Sequence, residues 1–146
     1  MSEILFYGDE HKKHFYNLLE KYNVNINDNE RVALFYILTI TRDCRQNFLD
    51  CYEEETGCVK TDALCHGWVT GSDARAIRLA LNLFSGRVVT AGDKSDIEWY
   101  NLYNNLGEFV YNRRELFEYT PFSIFMDTCI GRYLLEGLKL RFPSLY

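Results

Sequence analysis

Val32-Ala33-Leu34-Phe35-Tyr36-Ile37-Leu38 is apolar on nearly every side, and how this run is read decides the fold. A short apolar run suits a buried strand as well as a buried helix. Its flanks favour the helix, because the neighbouring segments carry helical periodicity and no partner strand is evident. A helix apolar all round belongs in the middle of a bundle. Its start falls at Asn27 or Asp28, where Asn27 with Glu30 three residues on has the form of a capping box.

Upstream, Asp9 caps a first helix that runs to about Tyr22. Phe15, Leu18, Leu19 and Tyr22 recur at helical spacing, with Lys12, Lys13 and Glu20 on the wet side. His11 and His14 lie three apart there, and an exposed face accounts for them more simply than a ligand pair. The stretch Asn23 to Asn29 reads as a loop.

Downstream, Thr41 or Asp43 caps a third helix with Cys44, Phe48, Cys51 and Tyr52 on one stripe. Glu53-Glu54-Glu55 opposes the helix dipole and, with Gly57, ends it. Thr61 to Leu64 makes one short turn. A fourth helix starts near Ser72 or Asp73, buries Ile77, Ala80, Leu81 and Phe84, and stops at Ser85 before Gly86. Ala91 to Asp96 reads as loop. Ile97–Leu106 reads as a helix, followed by irregular aromatic-rich chain. Thr120-Pro121 opens the last helical stretch with a cap and a first-turn proline. It continues to Phe142 before Pro143, with a turn near Asp127–Cys129 able to split it. There is no internal repeat. These signals predict an all-α fold: one compact helical domain, residues 1–146, of about five to seven helices with irregular aromatic-rich connections.

Composition agrees with that reading. A chain of 146 residues has the size of one domain, and with 47% hydrophobic and 16% aromatic residues it can build a core from packing alone. The formal charge of −5 argues against direct nucleic-acid binding, which needs clustered Lys and Arg. No stretch approaches the roughly 20 apolar residues of a membrane span. Met1-Ser2-Glu3-Ile4-Leu5-Phe6 has neither the basic start nor the apolar run of a signal peptide, so a cytoplasmic setting is expected.

Cys44, Cys51, Cys58, Cys65 and Cys129 include no Cys-x-x-Cys pair and, with His11, His14 and His66, no recognised zinc spacing. Buried reduced thiols are the simplest reading, with Cys44 and Cys51 able to share a helix face. No cofactor and no metal is expected.

One segment has chemical potential: Gly67-Trp68-Val69-Thr70-Gly71-Ser72-Asp73-Ala74-Arg75-Ala76-Ile77-Arg78. It sets a Thr-Gly-Ser loop before a helix whose first amides carry partial positive charge. Gly71 lets a group approach the backbone, and Thr70 and Ser72 offer hydroxyls. Arg75 and Arg78 occupy neighbouring positions of one face, able to clamp a phosphate or carboxylate. Trp68 offers a stacking surface, and Asn82 lies one turn beyond Arg78. The competing reading is ordinary capping, with Asp73 already partnering the dipole and the arginines in ion pairs. The P-loop spacing is absent, so nucleotide hydrolysis is not implied. Cys65-His66 and the Asp93/Asp96 pair carry little weight, and no nucleophile elbow, zincin or kinase set is present.

The loop Gly67 to Ser72, the helix Arg75-x-x-Arg78-Leu79-Ala80-x-Asn82-Leu83-Phe84, Thr120-Pro121-Phe122-x-x-Phe125, the closing Leu138-Lys139-Leu140-Arg141-Phe142-Pro143 and the early His11-x-x-His14-Phe15-Tyr16 together resemble an uncharacterised family of small proteins from mobile elements and phages of Gram-positive bacteria. The resemblance spans Phe6 to Pro143 in patches. It carries no activity, but it implies a setting in which small acidic proteins act as counter-defence factors.

The expectation is therefore a non-enzymatic binding protein. It would bind a host protein or sequester a phosphorylated small molecule through Trp68, Thr70, Gly71, Ser72, Arg75, Arg78 and Asn82. Two alternatives stand beside it. One is an enzyme acting on a nucleotide or other phosphorylated ligand at the same corner. The other is a structural, oligomerising protein using aromatics between Trp99 and Tyr111.

Overall fold

In a computed structural model, the described residues are 3–85 and 119–145. The helix expected over Ile97–Leu106, the Ala91–Asp96 loop, the Trp99–Tyr111 aromatics and Gly86 lie outside them. The described residues hold seven α-helices and one two-stranded hairpin, an all-α fold.

The decisive run is helical. α2 spans Asn29–Ile37, with Asp28 as its cap through a bond from the Arg31 amide. Every residue from Val32 to Ile40 is buried, so the helix has no wet face below its first turn. Three helices pack on it: α1 (Asp9–Lys21), α5 (Gly71–Ser85) and α7 (Gly131–Arg141). α7 comes closest at Gly137, where an added Cβ would lie 2.5 Å from Ile37 Cγ1.

α1 is preceded by Gly8, not capped by Asp9, which lies in its acidic first turn. It ends where Asn23 takes a left-handed φ of 52°, and the Val24 amide closes back on the Leu19 carbonyl. Its buried row is His11, Phe15 and Leu19. The expected exposed histidine face therefore holds for His14 alone. His11 is 1% exposed, because it sits at the same helical phase as Phe15 and Leu19 and has a backbone partner for each ring nitrogen.

The expected third helix breaks in two. Thr41 caps α3 (Arg42–Gln46), and α4 (Phe48–Cys51) follows Asn47. Asn47 interrupts the run at a non-helical φ of −117°, with its side-chain amide bonded to the Asp43 carbonyl at 2.9 Å.

Tyr52 then leaves the helical path as the first residue of β1 (Tyr52–Glu53). That strand pairs antiparallel with β2 (Cys58–Val59), Tyr52 opposite Val59 and Glu53 opposite Cys58. Glu53 to Glu55 thus lead into a hairpin turn rather than ending a helix. Gly57, at φ 71°, closes that turn directly over the Arg31 guanidinium. The hairpin forms because Tyr52 has an aromatic nest to fill, with the rings of Tyr22, Phe35 and Phe48 each 5.2 Å from its own.

A 3-10 turn at Ala63–Cys65 leads to α5, and the last helical stretch divides as anticipated, into α6 (Pro121–Phe125) and α7. Thr120 caps α6 and Pro121 occupies its first turn. Gly131 starts α7 against the Phe125 carbonyl, 2.6 Å from where a Cβ would stand.

The five cysteines do not share one environment. Cys44 and Cys51 are buried, whereas Cys58, Cys65 and Cys129 are exposed, which corrects the expectation of uniformly buried thiols. The hairpin and two turns carry the exposed three outward.

Candidate functional site

α5 begins one residue earlier than its spacing suggested, at Gly71, which leaves Thr70 at its cap. Asp73, the third residue of the helix, reaches back to the cap: its Oδ2 accepts from the Thr70 amide at 3.0 Å and the Thr70 hydroxyl at 2.8 Å. Its Oδ1 accepts the Thr41 hydroxyl at 2.6 Å and lies 3.8 Å from the Cys44 thiol. Asp73 is only 1% exposed. A buried carboxylate persists where enough donors replace its water shell, and here four do.

Ser72 and Arg75 converge on a second carboxylate. Asp127 Oδ2 accepts the Ser72 hydroxyl at 2.7 Å and Arg75 Nη1 at 3.0 Å. Asp127 Oδ1 takes the amides of Cys129 and Ile130 and so shapes the turn into α7. Burial pushes the Asp127 carboxyl up, but the Ser72, Ile130 and Cys129 bonds and the Arg75 charge outweigh it and hold it below its usual range.

Trp68 meets a third. Its indole donates to Asp50 Oδ2 at 2.9 Å, and its ring stacks on His66 with an interplanar angle of 19°. The Nε2 of His66 is a buried nitrogen without a hydrogen-bond partner.

The two arginines part from each other around α6. Arg75 Nε donates to the Ser123 carbonyl at 3.0 Å, near the helix's C-terminal end, where a cation complements the dipole. Arg78 lies 5.9 Å from the centre of the Tyr119 ring, just before the helix begins. The pair thus straddles α6 and fastens it across α5. Gly71 and Asn82 are exposed, with open space around the Gly71 Cα apart from Arg75 Nη1 at 3.7 Å from an added Cβ.

The structure brings Thr70, Gly71, Ser72 and Arg75 to one corner. Internal carboxylates meet the polar side chains of Trp68, Thr70, Ser72 and Arg75. Sequence reading placed Asp73 in the capping of this helix and allowed the arginines ion pairs, as the bonds of Asp73 to Thr70 and of Arg75 to Asp127 show, but it gave Asp127 only a turn and Asp50 no role. Asp127 did carry a signal, as an aspartate opening a turn, where its side chain can accept from the amides two and three residues on. Asp50 carried none, because only the folded chain brings it to Trp68.

Helix α6 itself has two faces. Ser123 and Ile124 are buried against the body, whereas Phe122 is 66% exposed and Met126 51% exposed. Four residues apart, these two stand side by side on the outer surface of the helix that the arginines hold down.

The model of one protein family, described as a family of unknown function (DUF6075), matches residues 1–146. The chain belongs to that family. No curated protein and no solved structure matches it. Membership in DUF6075 brings no activity with it, so function is argued from the corner and its surroundings. Among the described residues no helix is long and apolar enough to cross a membrane, and no group of three or more His, Cys, Asp or Glu could hold a metal ion.

Proposed function

We propose that this DUF6075 protein is a non-enzymatic binding protein that engages a partner protein through the outer face of α6, with the Arg75/Arg78 corner as its support. The observation that carries this reading is that the Asp127 carboxylate already lies against Ser72 and Arg75, where a captured phosphate would need to be. A phosphorylated small molecule would have to expel a side chain that is 5% exposed and bonded to two backbone amides. Phe122 and Met126 on the same short helix are large apolar side chains, 66% and 51% exposed, the kind that make interface anchors. The net charge of −5 suits a basic partner, such as a nucleic-acid-binding protein of a host cell, because opposite charge speeds encounter. In this reading the protein acts in the cytoplasm as an accessory or counter-defence factor of a phage or mobile element.

Native mass spectrometry and pull-down from a Gram-positive bacterial host test it. Wild-type protein retains a partner, and Phe122→Asp with Met126→Asp loses it while helix content by circular dichroism is unchanged. Melting curves with nucleotides and phosphorylated metabolites give the opposing outcome. A stabilisation abolished by Arg75→Ala with Arg78→Ala overturns this reading in favour of small-molecule capture.

A further inference from the structure

Residues 3–8 cross the body as a strap with no helix or strand of their own. Three hydrogen bonds sew it down. The Leu5 amide donates to Glu136 Oε2 at 2.6 Å, the Tyr36 hydroxyl donates to the Leu5 carbonyl, and the Tyr7 amide donates to His11 Nδ1 at 3.1 Å. Between these points Phe6 turns into an aromatic socket, its ring 5.2 Å from His11, 5.5 Å from Phe15, 5.8 Å from Tyr16 and 5.7 Å from Tyr36.

The geometry commits His11 to one protonation state. Its Nε2 lies 2.9 Å from the Tyr36 carbonyl, which can only accept, so Nε2 carries the proton. The Tyr7 amide can only donate, so Nδ1 offers it a lone pair. A second proton has no place except on Nδ1, where it would face the Tyr7 N–H. Around the ring, the strap supplies Phe6 and Tyr7, α2 supplies Tyr36, and α3 supplies the Arg45 cation, which disfavours a second positive charge. From α7, Glu136 is bonded to Leu5, Tyr133 stacks edge-on with Tyr7, and Arg132 and Glu136 both act on Tyr36. On α1 itself, His14 and Glu10 pair with each other at the exposed side.

We propose that residues 3–8 form an acid-opened latch, in which protonation of His11 breaks its bond to the Tyr7 amide and frees the strap, baring the Phe15–Tyr16–Tyr36 socket while the helical body stays folded. Burial, against the Tyr36 bond and together with Arg45, holds the closed ring at about 4. With the strap gone the ring gains water while its Tyr36 bond and the Arg45 charge remain, so its value rises from about 4 towards, at most, the ordinary 6.5. Acid therefore favours the open strap by up to about 300-fold across that interval.

Amide hydrogen exchange followed by NMR from pH 6.5 to 3.5, corrected for intrinsic rates, tests the latch. The Tyr7 amide loses protection by about two orders of magnitude, while the Leu38 amide, bonded to the Leu34 carbonyl, keeps its own. In His11→Gln, which keeps a donor and an acceptor but does not titrate, Tyr7 protection is flat with pH. Should that variant not fold, the His11 ring-carbon shifts of the wild-type protein report the transition instead, near pH 4. Loss of Tyr7 and Leu38 protection together, or Tyr7 protection unchanged down to pH 3.5, overturns the proposal.

Discussion

Replacing Asp127 with alanine removes one carboxylate and unties two segments, α5 and the turn into α7. Ser72 loses its acceptor at 2.7 Å, Arg75 its ion-pair partner at 3.0 Å, and the amides of Cys129 and Ile130 their bonds at 2.8 and 3.0 Å. In a dry site each bond to a charged acceptor contributes about 1.5–3 kcal/mol. The Arg75 side chain is 29% exposed and keeps its bond to Ser123, so water and that carbonyl replace part of the loss. The expected net cost is about 2–4 kcal/mol, the range for stripping one partner from a mostly buried pair after that discount.

Equilibrium urea unfolding measures it, as a midpoint lower by on the order of 1–2 M. Asp127→Asn keeps a carbonyl oxygen but not the charge, and loses about half as much. The pH profile carries a second signature. The folded carboxyl lies below its ordinary value, so its contribution is fully present above that value and is lost as pH falls through the folded one. The acid limb of the wild-type profile is therefore steeper than that of Asp127→Asn. In Asp127→Ala the freed Arg75 and Ser72 make inorganic phosphate stabilise the variant more than the parent. A variant within 0.5 kcal/mol of wild type, with the same acid limb, refutes the account of Asp127 as the tie between α5 and the α6–α7 turn.

Other substitutions read other parts of the structure. Gly137→Ala forces a methyl to within 2.5 Å of Ile37 Cγ1 and 2.9 Å of its Cδ1, inside a fully buried contact. Overpacking outweighs the helix-propensity gain of about 1 kcal/mol, for a net loss of about 1–2 kcal/mol in urea unfolding. Combining it with Ile37→Ala costs less than the two losses added, because the clashing atoms are gone. With a thiol reagent under native conditions, Cys58, Cys65 and Cys129 react, whereas Cys44 and Cys51 react only after denaturation. Cys44 is held inert because its thiol's pairing with Cys51 and then burial push it far above the usual range.

The elements legible from sequence were those that physics writes locally. Thr41, Thr120 with Pro121, and the apolar phase of α1, α2 and α5 each mark a helix through caps or periodicity within a few residues. The hairpin was not legible because two-residue strands carry no period, and because the reason for Tyr52 to turn out of its helix is a ring nest assembled from Tyr22, Phe35 and Phe48. The candidate corner was legible as a set of residues, and capping with ion pairs stood among its readings, but two of the carboxylates that complete it were not. Thr70, Ser72, Arg75 and Trp68 are donors in any reading, and the partners that consume them, Asp50, Asp73 and Asp127, include two from distant parts of the chain. His11 stood at the phase of Phe15 and Leu19, so its burial could have been read from periodicity, against the general preference of histidine for a wet or half-wet surface.

Asp73 makes α3 and α5 co-dependent. Each begins behind a threonine, Thr41 or Thr70, whose hydroxyl donates a hydrogen bond to the same carboxylate, and in one case across 32 residues of chain. Neither start is complete until the other has arrived, so a piece of the protein cut off before Asp73 keeps the sequence of α3 without its anchor. The stretch from Thr41 to Asp73 behaves as a closed circuit, able to be exchanged or grafted only whole.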